Sequence, residues 1–165
     1  MNSLLACLSA HGWQIETQVP AATPAAVAAR GVPSQYQEFV AMVRSCASPD
    51  GAVWFNGGDD FAKADGSGWD FLEQQVSLPS AEGDTAWTES VIRFWQAHLP
   101  IALNARGDYS YIALNSSGRV VTGWAPELEE PTELAESFDA FVQRVLDECE
   151  RREGELWELW IGPVE

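Results

Sequence analysis

The segment 59–70, DDFAKADGSGWD, gathers four aspartates and two glycines in twelve residues, a composition that calcium-binding loops share. An EF-hand loop needs oxygen ligands at its first, third and fifth positions, glycine at the sixth and glutamate at the twelfth. Aligned on Asp65-Gly66, that register places Phe61 and Lys63 at ligand positions and Leu72 at the closing one. An ammonium group repels the cation, so the segment is not an EF-hand. A looser site using Asp59, Asp60, Asp65 and Asp70 stands beside the simpler reading of a solvated acidic loop.

Other chemical signatures are missing. The chain has no Gly-x-Ser-x-Gly, no glycine-rich phosphate loop, and no Cys or His cluster with zinc spacing. Its two histidines, His11 and His98, are distant in sequence. His98 falls on the apolar stripe of a helix and reads as a hydrogen-bonded structural residue. The expectation is therefore no catalytic residue, no metal, no cofactor and no enzymatic activity. Cys7, Cys46 and Cys149 are odd in number, far apart and outside any Cys-x-x-Cys pattern, as reduced cysteines of a cytoplasmic protein would be. LLAC at 4–7 resembles a lipoprotein cleavage site, but no basic residue precedes it and the apolar run is too short for a signal peptide.

Arg106-Gly107-Asp108 is an adhesion tripeptide when read alone. It lies between two strand patterns, PIALNA at 100–105 and YSYIAL at 109–114, and reads better as a hairpin turn in which glycine supplies backbone freedom. In the second strand Ile112 and Leu114 oppose Tyr109, Tyr111 and Ala113. NSSG at 115–118 is the next turn, followed by RVVTGW at 119–124. Upstream, AVWF is a short strand halted by NGGDD at 56–60.

Helices are expected on either side of these strands. One begins near Pro33 and carries Tyr36, Phe39, Val40 and Val43 on its stripe, running toward SPDG at 48–51. Another covers 84–99, capped by Asp84 or Thr85 and stopped by Pro100. A third starts at Thr132 and places Leu134, Phe138, Phe141, Val145 and Cys149 on one face. WDFLEQQVSL at 69–78 and residues 1–17 suit strand or helix, and ELWELWIG at 155–162 reads as a final strand. Helices flanking antiparallel hairpins define an α+β chain, with residues 1–23 as an N-terminal extension and 24–165 as one domain.

Net charge narrows the partners. Twenty-five acidic residues against nine basic ones give −16, which repels phosphate backbones and anionic membranes. Between 127 and 165 there are 13 acidic and 3 basic residues, so this stretch carries −10. It reads as a solvated helix face or as a surface for a basic protein, basic nucleases being one such class. Tryptophans beside acidic turns, Trp69 and Trp124, could serve as interface anchors, whereas Trp87 and Trp95 read as core. The candidate partner-binding residues are Asp59, Asp60, Asp65, Trp69, Asp70, Asp108, Trp124, Glu127, Glu129 and Glu130.

The order of VPSQYQEFV, WFNGG, LPIALNARGDYSYIALNSSGRVVTGW and PTELAESFDAFVQRVL resembles the SMI1/KNR4 (SUKH) superfamily. The matching positions include Pro33, Tyr36, Phe39, Asn56, Gly57, Pro100, Ile101, Ala102, Gly107, Asp108, Gly118, Val120, Ser137, Phe138 and Phe141. They span about residues 24–147; the helix at 84–99 is longer than usual, and Val32 replaces a leucine. The resemblance implies a non-enzymatic α+β domain with an antiparallel sheet backed by helices. It also implies an immunity protein that binds and neutralises a cognate bacterial toxin, or a regulatory adaptor or scaffold.

Overall fold

Seven strands form one antiparallel sheet whose spatial order is their order along the chain: β1 (Gln14–Thr17), β2 (Val43–Ala47), β3 (Val53–Phe55), β4 (His98–Asn104), β5 (Ser110–Asn115), β6 (Val120–Trp124) and β7 (Thr132–Ala135). The helices are α1 (Asn2–Ala10), α2 (Ala25–Ala28), α3 (Ser34–Met42), α4 (Gly58–Ala62), α5 (Leu78–Ser80), α6 (Thr85–Ala97) and α7 (Phe138–Arg151), with π-helical turns at Glu73–Ser77 and Trp157–Ile161. The computed structural model describes residues 1–63 and 65–163. Ala64, within the acidic segment 59–70, and positions 164 and 165 lie outside the described residues.

Alternating side chains divide the interior into two layers, one on each face of the sheet. Ile112 and Leu114 of β5 face one cluster together with Val53, Phe55 and Val120; α1, α3, α7 and the Trp157–Ile161 turn cover it. Tyr111 and Ala113 face the other with Leu103 and Val121, beneath Leu72, Val91 and Trp95. A register shift between Pro100 and Ala102 turns β4, so that Ile101 and Ala102 both join the first cluster. The chain is thus a single α+β domain, and residues 1–23 contribute α1 and β1 to the same core and sheet.

Tyr36, Phe138 and Phe141 pack in the first layer. The Tyr36 hydroxyl donates to the Asn56 carbonyl at 3.1 Å, and Asn56 Nδ2 donates to the Pro100 carbonyl at 2.9 Å. The Tyr36 ring meets Phe138 edge-on at 5.5 Å, and Phe141 packs between Phe138 and Phe55 at 6.1 and 6.5 Å. The helix near 33, the Asn-Gly turn and the Pro-Ile-Ala strand are therefore tied into one network.

Several local expectations are corrected. The helix from Pro33 stops at Met42; Val43 is already extended, and Val43–Ala47 is β2, paired with β1 and β3 on its two sides. Thr132 does not cap a helix. It opens β7, where Glu133 lies opposite Val121 and takes Arg119 at 2.7 Å. Ser137 is the cap of α7, its Oγ accepting from the Ala140 amide at 3.1 Å. Starting there puts Phe138, Phe141, Val145 and Cys149 on the buried stripe and leaves Leu134 to face inward from the strand.

Nor is 155–162 a strand. Arg152 ends α7 in the left-handed region, and Glu148 then accepts the amides of Leu156 and Trp157 at 2.7 and 3.2 Å. That carboxylate starts a helical turn burying Leu156, Trp160 and Ile161. The ambiguous stretch at 69–78 is also helical.

The cysteine expectation is overturned as well. Cys7 of α1 and Cys149 of α7 form a disulfide across 142 residues, and only Cys46 is free, buried in the core. A cross-link of that span restricts the unfolded chain by on the order of 5 kcal/mol in the loop-entropy picture. Among the described residues, no helix is long and apolar enough to cross a membrane.

Phe141→Ala should lower stability by about 3–5 kcal/mol, measured by chemical denaturation, because it empties the centre of the aromatic cluster. Thiol titration of the non-reduced protein should find no reactive thiol in the native state and one after denaturation. Burial pushes the Cys46 thiol up to about 12, which keeps it protonated and inert.

Candidate functional site

The β4–β5 turn and the end of β6 form one edge of the molecule. Ser110 pairs with Trp124 in the ladder, and the Ala125 amide donates to the Tyr109 carbonyl at 2.8 Å, so the chain next to Asp108 lies against the chain next to Trp124. Trp124 is 37% exposed, and Asp108, Glu127 and Glu130, in the turns that flank these paired segments, are exposed as well. The loop carrying these glutamates is anchored from below: Leu128 is buried, and its carbonyl accepts the Tyr111 hydroxyl at 2.7 Å. Burial, with the nearby Glu129 carboxylate, pushes the Tyr111 hydroxyl far above its ordinary range, so it remains a donor. Glu129 itself is half-buried, and one of its carboxylate oxygens has no hydrogen-bond partner.

The same turn explains the tripeptide. Gly107 has φ +81°, a conformation that only glycine adopts freely. Arg106 folds back onto Asp50 at 2.8 Å, so its guanidinium is engaged within the fold. Hydrogen bonds from Arg106 and Ser48 hold the Asp50 carboxyl well below the usual carboxylate range. Asp108, by contrast, has no cationic partner among the described residues.

The other candidates are committed to local structure. Asp60, 9% exposed, accepts the Gly57 amide and the Lys63 ammonium, each at 3.0 Å. Asp59 pairs with Arg44 at 3.0 Å, and Asp65 accepts the Ser67 amide at 3.0 Å. Trp69 is half-buried, stacked on Phe61 at 5.7 Å with the Arg30 guanidinium 4.7 Å from its ring centre. Asp70 is half-buried, with one oxygen unpartnered. The structure therefore leaves Asp108, Trp124, Glu127 and Glu130 exposed, whereas Asp59, Asp60, Asp65 and Trp69 are engaged by neighbours within the fold. The four aspartates do not converge as a metal site: among the described residues, the one group of three or more His, Cys or acidic side chains close enough to hold an ion is Cys7, His11 and Cys149.

That group escaped the sequence reading because one member lies 142 residues from the first. The available signal was Cys7 and His11 four apart, a spacing that puts both on one helix face. His98, expected on the stripe of the helix at 84–99, is instead the first residue of β4, because α6 ends at Ala97 and Pro100 lies within the strand. Its Nδ1–H donates to the Phe94 carbonyl at 2.8 Å, and its ring stacks on Phe94 at 4.1 Å. Trp95 is buried, but Trp87 is 46% exposed, which corrects its reading as core.

Burial lowers the His98 pKa below its ordinary value. The native state then binds fewer protons than the unfolded chain, so stability present above about pH 6.5 is lost as pH falls through the folded pKa. Urea titrations between roughly pH 8 and pH 5 should show the wild type losing stability relative to His98→Gln. No family model matches the chain, and no curated protein matches it.

Proposed function

We propose that this protein is a non-enzymatic binding domain whose acidic edge around Trp124 docks a basic protein, in the first instance a cognate toxin that it neutralises. The observation that carries the reading is an exposed indole at the end of β6, with Asp108, Glu127 and Glu130 of the adjoining turns exposed and outside any ion pair among the described residues. Tryptophan is enriched at interface hot spots, because one large ring fills a pocket with little loss of conformational freedom. Surrounding carboxylates raise the encounter rate with a basic surface and discriminate against acidic ones.

Internal pairing concentrates the effect. Arg44, Lys63, Arg93, Arg106, Arg119 and Arg144 each hold a carboxylate of the same chain. With net charge −16, the field that reaches a partner is strongly negative. The resemblance to SMI1/KNR4 proteins supports the immunity role, and it supports a cytoplasmic setting in which the thiol pool would keep Cys7 and Cys149 reduced. The disulfide favours an oxidising compartment instead.

The test is to identify the genes adjacent to this one and to co-express and co-purify the protein with a basic toxin domain encoded there. The protein should protect cells and co-purify, and Trp124→Ala should weaken the complex by about 30-fold or more. Raising salt from about 50 to 500 mM should slow association by on the order of tenfold. No protection and no complex would reject the toxin reading; capture of several unrelated partners would favour a regulatory scaffold.

A further inference from the structure

The first and seventh helices bring together three groups that the binding edge does not use. Cys7 and His11 lie four residues apart, at the end of α1 and at its C-cap, and Cys149 faces them from the last full turn of α7. One ligand atom from each lies within 4.8 Å of the other two. Two sulfurs and an imidazole nitrogen are the donors that bind zinc-like ions, and two Cys with one His form the three-ligand set of an open site.

Surroundings fit such a site. Cys149 is buried, whereas Cys7 and His11 are half-buried. The His11 ring is oriented by an edge contact with Trp157 at 4.8 Å. His11 also lines a cavity of about 360 Å³ with Pro49, Asp50, Arg106 and Ile161, so solvent reaches the imidazole side of the group. Metal–sulfur bonds of about 2.3 Å in tetrahedral geometry place ligand atoms roughly 3.5–3.8 Å apart. The Cα atoms of the two cysteines are 6.8 Å apart, so separated sulfurs fit between them by side-chain rotation.

We propose that, with the Cys7–Cys149 bond reduced, Cys7, His11 and Cys149 form a three-ligand site for a tetrahedral divalent metal of the zinc and cobalt type, its fourth position open to the cavity beside His11. The disulfide and the metal site use the same sulfurs and exclude each other. Two molecules of a thiol reductant convert the disulfide to two thiols and become one disulfide themselves. The metal then displaces both thiol protons, so each ion bound releases two protons to solvent. This inference is independent of the binding reading, since neither Trp124 nor the acidic edge takes part.

The experiment is anaerobic titration with Co²⁺ of the full chain, reduced by a phosphine and desalted, followed by thiolate-to-cobalt charge-transfer absorption. One ion per chain with tetrahedral d–d bands is expected, and the oxidised protein should show neither. Cys7→Ser should abolish the charge-transfer pattern of a two-thiolate site. His11→Ala keeps both thiols and should weaken binding by about tenfold or more. Cys46, buried in the fold away from this group, is the internal control. Absence of thiolate–cobalt absorption in the reduced chain overturns the proposal, whether or not that chain keeps its fold by circular dichroism. Cobalt affinity unchanged by His11→Ala overturns it too.

Discussion

The two central strands, β4 and β5, have almost no surface left to water: from Leu99 to Asn104 and from Ser110 to Leu114 every residue is buried. A sheet buried on both faces must be covered by apolar layers on both, and the remaining elements meet that requirement. The long excursion between β3 and β4 supplies one layer through the helical stretch at 71–81 and α6. The chain ends supply much of the other through α1, α7 and the Trp157–Ile161 turn. Several polar groups in this interior find partners, although Asn56 Oδ1 has none. Thr122 donates to the Tyr111 carbonyl at 2.8 Å, and the Trp95 indole donates to Ser77 at 3.2 Å.

Charge follows from the same plan. Arg144 occupies the junction of α7, β7 and the final turn, where it takes Glu148, Glu155 and the Leu134 carbonyl. Arg106 clasps two hairpin turns together through Asp50. Cations placed at such junctions are fixed by geometry, and the carboxylates on the outer edges stay uncompensated. An acidic outer surface is in this sense the complement of the way the loops are pinned.

Where sequence signals were local, they were readable. Gly107 and Gly118 mark the turns on either side of β5, and strict alternation from Tyr109 to Leu114 reports a strand with two different faces. Cooperative elements were harder. Val43 continues the three-four stripe of α3 but belongs to β2, because strand pairing on both sides outweighs helical periodicity. Thr132 and Ser137 are equally good caps by residue type, and only β6, which draws 132–135 into the sheet, selects the second. At the candidate site, the exposure of Trp124 agreed with its place beside acidic turns. Asp60 is held by partners three residues away, the Gly57 amide and Lys63, in a local capping pattern, whereas Trp69 depends on Arg30, remote in the chain. The pairing of Cys7 with Cys149 is the extreme case, since nothing within either segment specifies the other.

The clasp between the outermost elements has a kinetic meaning. Besides the disulfide, the Trp13 indole donates to the Ile161 carbonyl at 3.3 Å, a contact spanning 148 residues. The β4–β5 and β5–β6 hairpins close over a few residues and can form early, whereas this junction requires nearly the whole chain to be in place. The entropic cost of loop closure is therefore smallest for the central hairpins and largest for this junction.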